Sequence, residues 1–234
     1  MTLREQIGQL FMMGFTGTTV SHDLASFITA YKPGGVIFFR RNLESVHQIV
    51  DLTNGLQTLS PASPLLIAID QEGGRVSRLP AEFTIFPPCG QLGQCNSSEL
   101  AYSAAATIAK ELRAVGINMN MAPVLDVNSN PDNPVIGDRA FGAEPDLVAE
   151  MGLATIGGLQ DNMVVACGKH FPGHGDTATD SHKELPVVDA GIQRLRETEF
   201  PPFQQAIRQG VASLMTAHVL YRALDPDAPA TLSP

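Results

Sequence analysis

The sequence predicts an α/β fold on a parallel sheet, of the (β/α)8 TIM-barrel type but incomplete, with about six βα units present. Three observations carry that reading. Short apolar runs alternate with helical stretches along all 234 residues, which is the rhythm of βα units. Polar residues stand just past the ends of several runs, where a barrel gathers them on one face. Six units use up the chain, whereas a closed barrel takes eight and roughly 250 residues.

In order, strand-like runs fall at residues 9–15, 35–39, 65–69, 117–121, 164–168 and 213–217. The clearest helix lies between the third and fourth, at 100–115. Asn96 with Glu99 three positions later reads as its N-terminal cap, and Gly116 stops it. A second helix covers about 147–159 after Pro145, and a third about 194–209 up to Gly210. Pro201-Pro202 is expected to interrupt the third. Asp70 follows the third run, Asp126 the fourth, Lys169 and His170 the fifth, and His218 the sixth. A doubly wound open sheet is the competing arrangement, but it calls for an early glycine-rich nucleotide loop that this sequence lacks. An open six-stranded sheet leaves an apolar edge uncovered, so self-association through that edge is expected.

The formal net charge is −9, and Arg40-Arg41 is the largest basic cluster, which argues against nucleic acid and membrane surfaces as partners. The N-terminal stretch MTLREQIGQLFMMGF lacks the small-residue cleavage site of a secretory signal. Cys89, Cys95 and Cys167 are odd in number and lack CxxC spacing, which fits reduced thiols in a cytoplasmic protein. With 44% hydrophobic residues, positions 1–234 fit one domain with a sizeable core.

The segment KHFPGHGDTATDSH, residues 169–182, concentrates three histidines, a lysine and two aspartates. Its Phe-Pro-Gly turn reads as a shaped loop, and such a density of titratable groups points to a cleft where chemistry happens. Asp180 and His182 stand two apart, so the carboxylate can orient the imidazole and favour its charged form as a proton-transfer pair. Lys169 and His170 end a strand and can donate to substrate hydroxyls. For His174 and Asp176, hydrogen bonds within the turn are as good a reading as substrate contact. His170 and His174, four apart, also raise a metal-dependent hydrolase, but the intervening turn defeats the helical geometry that gives HxxxH its meaning.

A second constellation follows the third strand in AIDQEGGRVSRLP, where Asp70 leaves the strand as a bare carboxylate, with Arg75 and Arg78 beyond a Gly-Gly turn. A carboxylate and an arginine fork form a sugar clamp, or an ion pair that stabilises the barrel rim. The third is GDRAFG, where Arg139 either reaches the cleft or serves loop carbonyls, Asp126 or Asp138.

Together IDQEGGRVSRL, GDRAFG, KHFPGHGDTATDSH and MTAHV resemble the family 3 glycoside hydrolases, in particular the compact bacterial β-N-acetylhexosaminidases of peptidoglycan recycling. The resemblance implies a cytoplasmic single-domain barrel enzyme without cofactor or catalytic metal. It would remove terminal N-acetylglucosamine, with retention of configuration, from muropeptide fragments or chitobiose-like substrates. It also implies Asp180 and His182 as the catalytic dyad, with His182 as general acid and base, and Asp70, Arg78, Arg139, Lys169 and His170 as sugar-binding positions. The family's nucleophile is an aspartate after the seventh strand, expected beyond Pro234, so none is assigned here. Little or no hydrolysis is therefore expected of the chain as given, and a sugar-binding remnant without turnover is the alternative.

Overall fold

The computed structural model describes residues 1–179 and 184–234. Six parallel strands form one sheet: β1 (Met12–Gly14), β2 (Gly35–Phe38), β3 (Leu66–Ile69), β4 (Met119–Asn120), β5 (Val165–Phe171) and β7 (Ser213–Thr216). All six expected runs are present. Their spatial order is their chain order, β1-β2-β3-β4-β5-β7, with each pair parallel. A doubly wound sheet reverses direction at a switch point. This sheet winds one way only, as an incomplete (β/α)8 barrel does.

Helix α1 (Leu3–Gly8) precedes β1, and the helices that then return the chain between strands are α2 (His22–Tyr31), α3 (Val46–Thr58), α4 (Cys89–Cys95), α5 (Ser98–Ala114) and α6 (Pro145–Gln160). Serine hydroxyls start three of them: Ser21, Ser45 and Ser97 each accept the backbone N–H three residues on. This satisfies one of the orphan donors that every helix N-terminus leaves. Ser97 therefore replaces Asn96 as the cap of α5. Asn96 instead closes α4 in the left-handed region, at φ 48°, a conformation that asparagine tolerates better than most residues.

The last helical run also differs from expectation. It consists of α7 (Ile192–Arg194), a π-helical stretch Leu195–Glu199 and α8 (Phe200–Arg208) in direct succession. Pro201-Pro202 does not break it: both prolines follow directly on the π-helical stretch, where the hydrogen-bond ladder changes register. The core lies between sheet and helices, with Ile28, Val36, Ile49, Ile67, Leu112, Leu125 and Phe203 among its buried members.

Two features were not legible beforehand. β5 runs three residues past the expected end, so Lys169 and His170 belong to the strand, with a register shift between Lys169 and Phe171. A separate two-stranded parallel sheet pairs β6 (Val187–Val188) with β8 (Leu220–Tyr221). With two residues each, these strands offer no periodicity to read. Val188 and Tyr221 of this sheet and the adjoining Val219 are buried and pack with Leu195 as a small separate core, from which the Tyr221 hydroxyl donates to the Gly173 carbonyl.

At the other side, among the described residues, β1 hydrogen-bonds to β2 alone. Leu3, Ile7, Phe11, Phe27 and Tyr31 are exposed there around a hollow of about 550 Å³.

Candidate active site

Asp70 is the first residue after β3, at the carboxyl end of the sheet. The loop beyond it is shaped by Gln71. Asn120 of β4 clasps the Gln71 backbone, accepting from its N–H at 3.0 Å and donating to its carbonyl at 2.9 Å. The Gln71 side-chain carbonyl then accepts from the Arg78 N–H at 2.9 Å, while its amide donates to Ser77 Oγ. One buried glutamine so folds residues 71–78 back on themselves and returns Arg78 beside Asp70.

Lys169 in β5 is 2% exposed, and its Nζ donates to Asp70 Oδ1 at 2.9 Å and meets Glu72 Oε1 at 2.6 Å. Arg139, on the short turn Gly137–Arg139, forks onto Glu72 with Nε and Nη2 each at 2.8 Å. Two cations and two carboxylates thus neutralise each other, which is the condition for burying any of them. Burial alone would raise the Glu72 pKa, but the Lys169 charge and the Arg139 fork outweigh it and hold the carboxyl at about 2. Arg78 is less committed. Its Nη2 lies 4.0 Å from Asp70 Oδ2, and its buried Nε has no partner among the described residues.

A second network fixes His170 and the turn after it. Asp126, fully buried, accepts from the His170 N–H at 3.0 Å, from the His174 N–H at 2.7 Å and from His170 Nδ1 at 2.7 Å. Burial works against this charge, but His170, His174 and the backbone donors keep the Asp126 carboxyl below its usual range. With Nδ1 engaged, Nε2 is left as the ring atom for other chemistry. His174 is buried, its Nδ1 2.8 Å from Thr177 Oγ1, and burial lowers its pKa despite Asp126. Gly175 lies so close to the Val127 carbonyl that a Cβ would sit 1.6 Å from the oxygen. No other residue fits there.

These groups share one hollow of about 450 Å³. Asp70, Glu72, Arg78, Arg139, Lys169 and His170 line its polar side, and Ile37, Phe39, Met215 and Ala217 an apolar one. Charged forks against an apolar wall suit a polyhydroxylated ring, whose hydroxyls need paired donors and acceptors and whose C–H face needs apolar contact.

The profile of the glycosyl hydrolase family 3 N-terminal domain matches residues 2–234. The chain belongs to glycosyl hydrolase family 3. Among relatives, it is 42% identical to β-hexosaminidase A of Pseudoalteromonas piscicida over 217 residues, covering 89% of this chain and 36% of that protein. It is 40% identical to a β-hexosaminidase of Nitrosomonas eutropha, covering 92% of this chain and 63% of the relative. Among solved structures, a family 3 β-N-acetylglucosaminidase from a Paenibacillus species superposes with a TM-score of 0.97 at 50% identity, covering 100% of this chain and 45% of that one. NagZ from Neisseria gonorrhoeae, in complex with N-trifluoroacetyl-D-glucosamine, gives a TM-score of 0.88 at 35% identity, with 93% of this chain and 66% of NagZ covered. The chain thus spans less than two thirds of the length of each of these relatives.

Within this family 3 domain, the five residues expected to bind sugar, Asp70, Arg78, Arg139, Lys169 and His170, meet at the one hollow. Asp180 and His182, the expected catalytic pair, lie outside the described residues. Several details refine or correct the expectations. Asp70 is not bare, since Lys169 neutralises it. Lys169 lines the hollow as expected, but its ammonium is already committed to Asp70 and Glu72 in a buried charge network. Arg139 pairs with Glu72, not with Asp126 or Asp138. Arg75 stays at the rim, bound to the Val135 and Ile136 carbonyls and to Asp138. His170 and His174 present Nδ1 to Asp126 and Thr177, on a strand end and a turn. Asp176, for its part, faces Arg194 at 3.4 Å. Glu72 was missed altogether, although its position two residues past Asp70 was the available signal.

Proposed function

We propose that this chain carries the sugar-binding site of a β-N-acetylglucosaminidase, one that releases terminal, non-reducing β-linked N-acetylglucosamine. The observation that carries the reading is the convergence of Asp70, Arg78, Arg139, Lys169 and His170 on one hollow with an apolar wall. The names of the relatives supply the sugar. Peptidoglycan-derived muropeptides in cell-wall recycling are the proposed substrates, and the cytoplasm is the proposed location, in keeping with three unpaired cysteines.

In the proposed retaining reaction, a carboxylate attacks the anomeric carbon while His182 protonates the departing oxygen. His182 then takes a proton from water as that water releases the sugar. Asp70 and Arg78 would hold ring hydroxyls, with Lys169 fixing the Asp70 carboxylate in place.

Calorimetry with N-acetylglucosamine is the direct test, run beside an aryl N-acetylglucosaminide assay. The expected result is weak, saturable binding that Asp70→Ala abolishes, with little or no turnover by residues 1–234. Absence of binding, or equal binding by Asp70→Ala, would overturn the assignment of the hollow. Brisk turnover would instead show that the carboxylate nucleophile lies within these residues.

The exposed apolar face along β1 supports association with a second copy through that edge. Light scattering is expected to show a mass above the 25.0 kDa monomer that returns towards it when Phe11→Lys and Tyr31→Lys are combined. A monomer at all concentrations would exclude this partner.

A further inference from the structure

Glu199 has no part in the networks above, and its surroundings are unusual for a carboxylate. It ends the π-helical stretch Leu195–Glu199 and is 1% exposed. Its carboxyl and Cβ press on Gly173, where an added Cβ would meet Oε2 at 2.8 Å and Glu199 Cβ at 2.9 Å. Among the described residues, Oε1 receives only a long 3.4 Å hydrogen bond from Ser129, and Oε2 has no partner. Among the described residues, the charged groups facing it are Asp126 from the segment after β4, Asp176 from the turn and Arg194 from its own helical run, and Tyr221 lies on the β8 side. Two of these are carboxylates, Tyr221 gives its proton to the Gly173 carbonyl, and Arg194 is already engaged by Asp176 at 3.4 Å. An ionised Glu199 would be a buried anion whose charged neighbours among the described residues are two carboxylates and one arginine already engaged by Asp176, which is the arrangement proteins avoid.

We propose that Glu199 is held as a neutral carboxylic acid and is the positioning residue on which the 171–177 turn rests, so that its ionisation loosens the turn presenting His170 to the hollow. Burial, reinforced by Asp126 and Asp176, supports this by pushing its pKa from 4.5 up to about 8, against the opposing pull of Arg194 and Ser129. Because the folded protein holds this proton more tightly than the unfolded chain, the contribution is fully present below about 4.5 and is lost as pH rises to about 8.

The test compares the melting temperatures of wild type, Glu199→Gln and Glu199→Ala across that pH window. Glutamine reproduces the neutral acid in shape and cannot ionise. Glu199→Gln is expected to match wild type near pH 5 and to exceed it increasingly towards pH 8, by on the order of 5 °C. Glu199→Ala should be lower throughout. A Gln–wild-type gap that is flat with pH, or that turns increasingly negative, would overturn the proposal, since an ionised anchoring carboxylate behaves that way. A carboxylic acid carbonyl band in the infrared spectrum at neutral pH, lost in Glu199→Gln, is the second readout, and its absence from wild type counts equally against the idea.

N-acetylglucosamine affinity should also fall several-fold in wild type above pH 8 and stay level in the Gln variant. That arm alone rests on the sugar reading of the hollow. Failure to bind sugar at any pH would count against that reading, and the melting curves would still decide the state of Glu199.

Discussion

Glu72→Ala is expected to lower stability by about 3 kcal/mol, because it removes the shared carboxylate of two buried cations. Arg139 would keep only its 3.3 Å bond to the Val135 carbonyl, and Lys169 only Asp70. In a domain of this size, a melting temperature lower by on the order of 10 °C should follow. Urea denaturation would check it, with a change below about 1 kcal/mol showing that the pair gains little over its desolvation. The same residue gives the acid side of the pH profile. Its folded pKa, about 2, lies below the ordinary 4.5, so its contribution is present above 4.5 and is lost as pH falls towards 2. Wild type should therefore lose stability over that window, and Glu72→Ala, already without the contribution, should lose less. Sugar binding should fall with it, since Lys169 and Arg139 both line the hollow.

Asp126→Ala should be at least as damaging. The carboxylate accepts two backbone N–H groups and the His170 ring, all in a fully buried position. Each buried donor left unsatisfied costs about 1–3 kcal/mol, so a loss of roughly 4 kcal/mol is expected. Asp126→Asn is the more informative variant. Its Oδ1 can still accept the two N–H groups, but its amide now meets His170 Nδ1 and forces the ring into the other tautomer or out of place. About half the stability loss is expected, together with a loss of sugar affinity as large as that of the alanine variant. Binding that follows stability in both variants would show that Asp126 serves the turn alone, and not the orientation of His170.

How much of this was legible beforehand differs by element. Strands such as 35–38 and 66–69 were readable because a buried parallel strand is apolar on both faces and stands out against polar loops. α5 and α6 were readable because their caps, alanines and stop signals are local. Asn96 misled because its neighbour Ser97 offers the same capping chemistry, and only the left-handed backbone at the end of α4 separates the two. The β6–β8 pairing was invisible because two-residue strands carry no pattern, and their partners are more than thirty residues apart.

For the site, the sequence by itself determined which side chains stand at strand ends, and hence that Asp70, Lys169 and His170 would face one side of a wound sheet. It could not show who neutralises whom, because charge pairing depends on distances between segments up to 99 residues apart. Only the tertiary structure decided that Glu72 joins Lys169 to Arg139, that Asp126 holds His170, and that Glu199 is buried beside Asp126 and Asp176 with its arginine neighbour already engaged. The physical reason is that a buried charge is tolerable only with its partner in place, and partners are a property of packing, not of position along the chain.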